Sequence, residues 1–162
     1  MVIEWTMDDV RVTILFGSRR GATRQIVDWM SECLEKSGNI QLDVHEIGVD
    51  FDHIDTDLLL VGYPIYFEKP WKQMSEWIEA NIQKIKSKHV ALFILGWAKS
   101  MMSRVEGHIA KNYFGPIEQH FSDCLISKHM FRGWIRKLDA AQQSESNEWI
   151  EEILSLLPSN LE

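Results

Sequence analysis

Short aliphatic runs closed by Gly or Pro alternate along this chain with longer stretches whose apolar residues recur at helical spacing. That alternation is the strongest constraint on the fold, because strands joined through covering helices bury both patterns at once, giving an α/β sheet. Val10 to Phe16 reads as the first strand and stops at Gly17. Ile26, Val27, Met30, Cys33 and Leu34 then share one face of a helix that begins near Thr23 and ends before Gly38, a residue suited to the position after a helix.

A second strand is expected over 40–47. Ten residues separate Ile47 from the third strand, 58–63, so any helix in that crossover must be short. Leu58 to Val61 is apolar without alternation, as in a central strand covered on both faces, and Pro64 is expected to close it. Pro70 suits the first position of a helix whose Met74, Trp77, Ile78, Ile82 and Ile85 form one stripe against the sheet. Val90 to Leu95 makes a fourth strand ending at Gly96. Residues 97–123 carry Val105, Ile109 and Tyr113 at four-residue steps, a covering helix broken near Gly115 and Pro116. The alternating run 124–130 predicts a fifth strand at an edge. A last helix, capped by Ser144 or Ser146, buries Trp149, Ile150, Ile153, Leu154 and Leu157 before Pro158. The expectation is a single doubly wound domain over 1–162, with its core at about 10–157. Ligands of such sheets sit outside the carboxyl ends of the strands, here in the loops after strands one, three and four.

Composition narrows the partners. At 162 residues and 45% hydrophobic, two full domains would be cramped. Seventeen Lys and Arg against 24 Asp and Glu give −7, which argues against nucleic acid as a partner. Two cysteines, Cys33 and Cys124, are too few for a disulfide framework and read as small buried apolar residues of a reducing compartment. The first ten residues carry Glu4, Asp8 and Asp9 where a secretory leader carries positive charge, so a cytoplasmic location is expected. No apolar run reaches the roughly 20 residues of a membrane-spanning helix, which leaves peripheral membrane contact open.

The first loop, Gly17-Ser18-Arg19-Arg20-Gly21-Ala22-Thr23, joins an apolar strand to an amphipathic helix. Gly21 permits tight backbone geometry, Ser18 and Thr23 offer hydroxyls, and the positive end of the helix faces an anion. Only three residues separate Gly17 from Gly21, and Ala22 stands where a nucleotide-triphosphate loop needs Lys; a dinucleotide Gly-x-Gly-x-x-Gly is also absent. The loop suits a small phosphorylated ligand, or else it is a plain solvated turn. Arg19, Arg20 and Arg24 add charge fit for a phosphate dianion, or a solvated face.

The segment Asp50 to Glu79, with its Gly62-Tyr63-Pro64-Ile65-Tyr66 turn, resembles the flavodoxin family, in which an acidic, hydrophobic lead-in precedes an apolar strand and such a turn. Together with the Ser18 to Thr23 loop, the resemblance spans about Val10 to Leu157. Within that superfamily, Ser18-Arg19-Arg20-Gly21-Ala22-Thr23-Arg24 is similar to the loop of the flavodoxin-like protoporphyrinogen IX dehydrogenases; electron-carrier flavodoxins place a hydroxyl residue where Arg20 stands. The resemblance implies a five-stranded parallel sheet in the family's known order 2-1-3-4-5, helices on both faces, and FMN at the switch point between strands one and three.

It further implies that Ser18, Arg19, Arg20, Gly21, Ala22 and Thr23 hold the FMN phosphate. Pro64, Ile65, Tyr66 and Phe67, with Gly96, Trp97 and Ala98, would flank the isoalloxazine ring, and Tyr66, Phe67 and Trp97 are the stacking candidates. Met101, Met102 and Phe114 are either core or an apolar rim for a quinone, a porphyrin or a partner. The six histidines show no metal-ligand spacing, no Gly-x-Ser-x-Gly elbow exists, and the carboxylates of Asp50 to Asp57 read as turn and capping residues. Three functions stay open: an FMN protein passing electrons between a donor and a redox partner protein or small molecule, an oxidoreductase acting on protoporphyrinogen IX or a quinone, and a flavin-free interaction domain. The acidic composition would favour a low-potential donor.

Overall fold

The computed structural model describes residues 9–19, 21–66, 69–96, 106–132 and 141–157. Arg20, Phe67, Trp97, Ala98, Met101, Met102, Val105 and Pro158, to which the sequence assigned roles, lie outside these residues.

The elements in chain order are β1 (Val10–Phe16), α1 (Ala22–Lys36), β2 (Ile40–Glu46), β3 (Ile54–Tyr66), β4 (Lys69–Pro70), α2 (Lys72–Asn81) and β5 (Ile85–Gly96). A helical stretch, α3 (Glu106–His108), a π-helical segment (Ile109–Phe114) and α4 (Gly115–Glu118), then leads to β6 (Leu125–Arg132) and α5 (Ala141–Leu156). The five long strands are mutually parallel in the order β2-β1-β3-β5-β6; without the two-residue β4, which pairs antiparallel with β3, this is the expected 2-1-3-4-5.

The strands β1, β3, β5 and β6 each feed two cores because successive side chains point to opposite faces. Ile14, Phe16, Leu58, Leu60, Phe93 and Phe131 meet Ile26, Met30 and Leu34 of α1 and Trp149, Ile150 and Ile153 of α5. On the other face Leu15, Leu59, Val61, Leu92 and Ile94 meet Met74 and Ile78 of α2, and Tyr113, Phe114 and Ile117. β3 is therefore buried almost throughout. Phe114 belongs to this second core, so among the three residues weighed as an apolar rim the one described is a packing residue. The buried Tyr63 hydroxyl donates to the Tyr113 carbonyl at 3.1 Å and ties β3 to the π-helical segment; burial pushes its pKa well up.

Several boundaries differ from the sequence reading for identifiable reasons. Pro64 does not close β3. Gly62, two residues earlier, directs its carbonyl to β1, and Pro64 points the same way beyond the end of β1, so its missing N–H leaves no ladder partner unmet. Its carbonyl instead accepts the Trp71 N–H at 3.0 Å. Pro70 sits in β4 rather than opening α2, and Ile85 begins β5 rather than ending the helix stripe. Gly115 and Pro116 do not break the helical stretch; the irregularity is the π-helical segment before them, and Pro116 takes an early α4 position where no N–H is needed. Ser144 and Ser146 lie inside α5, where the Ser146 hydroxyl donates to the Gln143 carbonyl at 2.8 Å instead of capping. Cys33 and Cys124 are half-buried; burial raises both thiol pKa values, which keeps them protonated at neutral pH.

The amino-terminal ends of the strands are closed by charge. Asp57 Oδ2 accepts the Arg11 N–H at 2.9 Å, Lys88 Nζ lies 3.4 Å from Asp57, and the Thr56 hydroxyl donates to the Arg11 carbonyl. These carboxylates are structural, at the pole opposite the loops.

Gly62 is the tightest point of the sheet. A Cβ there would stand 2.0 Å from the Phe93 ring. Gly62→Ala is expected to destabilise the protein by about 1–3 kcal/mol through overpacking, with partial recovery in Gly62→Ala/Phe93→Leu, as read by urea denaturation.

Candidate functional site at the carboxyl ends of the strands

The last rung between β1 and β3 is the Gly17 N–H to Gly62 carbonyl bond, 3.0 Å. Beyond it β1 leaves the sheet as the 17–21 loop while β3 runs on to Tyr66, so the loop and the end of β3 lie side by side. Gly17 is buried, and a Cβ on it would stand 3.0 Å from the Trp71 indole and 3.1 Å from Ile47; no larger residue leaves room for that approach.

The loop closes on itself before the helix begins. Gly21 has φ 96°, a left-handed conformation that glycine adopts without strain, and its N–H donates to Ser18 Oγ at 3.1 Å. Ser18 thus keeps its own O–H to donate. Among the described residues no side chain caps α1, and its first turn carries no acidic residue. The N–H groups of Ala22 and Thr23 belong to that first turn, where no intrahelical acceptor exists, so an anion is the natural partner. A Cβ on Gly21 would meet nothing within 4 Å, which leaves the mouth of the loop open. Thr23 is buried.

The two described arginines of this segment, Arg19 and Arg24, have different fates. Arg24 forms an ion pair with Glu46 at the end of β2 and lies over the Phe16 ring at 5.3 Å, so it serves the α1–β2 contact rather than a phosphate. Arg19 reaches across to β3, its guanidinium 5.3 Å from the Tyr66 ring centroid.

Arg19 and Tyr66 share a cleft of about 550 Å³ with Pro70 and Trp71 as further apolar lining and Lys69, Lys72 and Gln73 as polar lining. Of the residues assigned from sequence, the structure brings Arg19 and Tyr66 together in this cleft, with Ser18, Gly21 and Ala22 next to it along the loop. Pro64 is buried within β3, and Ile65 is half-buried beneath the edge, 3.6 Å from where a Gly96 Cβ would stand; neither lines the cleft. Lys69, Trp71, Lys72 and Gln73 were missed by the sequence reading. Their signal is the Lys69-Pro70-Trp71-Lys72 run, where Pro70 read only as a helix start. Among the described residues no group of three His, Cys, Asp or Glu could hold a metal ion, and no helix is long and apolar enough to cross a membrane.

The sequence matches the flavodoxin domain family over residues 13–137. No curated protein matches it. Similar solved structures include a flavodoxin of Streptococcus pneumoniae TIGR4 (15% identity, TM-score 0.63, 91% of this chain and 99% of that one). Oxidised flavodoxin 1 of Bacillus cereus is similar at 11% identity and TM-score 0.66, with the same shares covered. The apo form of an NADH:FMN oxidoreductase is similar at 12% identity and TM-score 0.64, covering 94% of this chain and 92% of that one.

The left-handed Gly21 gives a direct check on the loop. Gly21→Ala is expected to cost about 1–2 kcal/mol from backbone conformation alone, since its Cβ enters open space, measured by thermal and urea unfolding.

Proposed function

The chain belongs to the flavodoxin domain family, and from that premise we propose that it binds FMN at the carboxyl ends of β1 and β3 and passes electrons through it. The observation that carries this reading is the first-turn end of α1: no capping side chain among the described residues, no acid in the first turn, and a left-handed Gly21 with free space where a Cβ would stand. In this reading Ser18 through Thr23 receive the phosphate, with backbone N–H groups and the Ser18 hydroxyl as donors; Arg20 belongs to the same loop by sequence. Tyr66 offers its face to the ring system, with Phe67, Gly96, Trp97 and Ala98 as the further flanking residues assigned from sequence. Flavin supplies one- and two-electron transfer when bound; the protein binds, orients and tunes it. The setting is the cytoplasm, and the exchange partners are a redox protein or a small molecule.

A second reading is favoured by the cleft itself. Its 550 Å³ and largely apolar surface suit a small molecule oxidised or reduced at the flavin edge, such as the protoporphyrinogen IX or quinone that the sequence resemblance implies.

The test is a titration of the flavin-free protein with FMN and with riboflavin. FMN is expected to bind tighter by about a hundredfold or more, the worth of two charge-assisted hydrogen bonds. Equal affinities would remove the phosphate from the loop, and no binding of either would leave an interaction domain without flavin. Turnover of protoporphyrinogen IX with a quinone acceptor, faster than free FMN, would select the second reading over the carrier.

A further inference from the structure

We infer that Arg19, Lys69 and Lys72 make the flavin cleft locally electropositive, so that this acidic protein favours the reduced, anionic form of its cofactor and works as an electron acceptor rather than a low-potential donor. The inference rests on the FMN reading above and adds to Arg19 of the phosphate loop two residues outside it, Lys69 and Lys72.

The cleft brings together three cations and no carboxylate among its described lining residues. Arg19 lies over the Tyr66 ring, and among the described residues neither Arg19 nor Lys69 has an acidic partner within 4 Å. Lys72 has one, Glu76 at 3.8 Å, with both side chains largely exposed, so Lys72 adds less to the field than the unpaired Arg19 and Lys69. Lys69 is placed by the backbone: β4 sets it opposite Tyr66 in the antiparallel pair, so its charge stays beside the ring that the flavin reading uses. Tyr66, Pro70 and Trp71 form the apolar surface between these charges, while Lys69 and Lys72 themselves are exposed, so their field on a bound ring is salt-sensitive.

The chain's −7 does not offset this. Charges farther than about 8–10 Å are screened at physiological ionic strength, so the nearest groups decide. Several acids are also committed elsewhere: Asp55 and Asp57 to Arg11 at the opposite pole, and Glu46 to Arg24.

Reduction of the flavin ring by two electrons and one proton leaves one negative charge on it, and three cations lining the cleft bind that form better than the neutral oxidised ring. Binding and potential are linked: whatever favours the reduced form in affinity raises the potential by the same free energy.

The experiment compares dissociation constants for oxidised FMN and for dithionite-reduced FMN held anaerobically, in the wild type and in Lys69→Gln/Lys72→Gln. Both lysines are exposed, so the variant is expected to fold, which its denaturation midpoint checks. Wild type is expected to hold reduced FMN at least as tightly as oxidised FMN. The variant should lose about tenfold in affinity for reduced relative to oxidised FMN, and the wild-type preference should shrink as salt rises. A wild type that strongly prefers oxidised FMN, or a ratio unmoved by the double substitution, overturns the inference while leaving FMN binding intact. Failure of oxidised FMN to bind overturns the functional reading and this inference together.

Discussion

The Gly17 N–H to Gly62 carbonyl bond fixes the geometry of the whole carboxyl edge. It is the final link between the first strand and the central one, and past it the two chains separate while still adjacent. One becomes a loop with a left-handed glycine and an uncapped helix; the other continues as strand to Tyr66. Pro64 is tolerated only because that side of β3 has lost its neighbour. Trp71 fills the space against Gly17, and Arg19 crosses to Tyr66. A side chain on Gly17 or Gly62 would disturb both the packing and the cleft, so fold and site share one constraint.

The electrostatics follow from the same layout. Acidic residues outnumber basic ones in the composition, yet Asp57, Glu46 and Glu118 pair with Arg11, Lys88, Arg24 and Lys128, and the described cleft lining carries Arg19, Lys69 and Lys72, with only Lys72 paired, to Glu76. Net charge describes the far field and the solubility of this protein; the potential at a bound ring is set by its first neighbours. On the inference above, the charges lining the cleft, rather than the composition, set the potential of a bound flavin.

The central strands were legible because burial on two faces writes a continuous apolar run, as in Leu58 to Val61 and Val90 to Leu95, and α1 because its stripe is regular. Strand ends were not. Ile54 to Asp57 is polar in its last three residues, held in the sheet by Arg11 and Lys88 from distant positions, and no local pattern encodes that. Likewise α5 starts before its serines, since tertiary packing of Gln142 and Ser146 outweighs their capping preference. In the candidate site, the tight geometry of the first loop was readable from Gly21 and Ser18, while the Gly62 to Tyr66 segment, read as a turn, is the end of β3. Lys69, Trp71 and Lys72 were not, because their place beside Arg19 depends on a two-residue strand with no propensity signal. Arg24 looked like a ligand for an anion until β2 brought Glu46 to it.

The central claim is a position: a phosphorylated flavin at the carboxyl ends of β1 and β3. Mapping backbone amide NMR shifts on adding FMN tests it most directly. FMN at that position is expected to shift the amides of Ser18 to Thr23, Tyr66, Lys69, Trp71 and Lys72 most and to leave Arg11, Asp57 and Lys88 at the other pole unmoved. Shifts centred on that opposite pole, or none at saturating FMN, would contradict it.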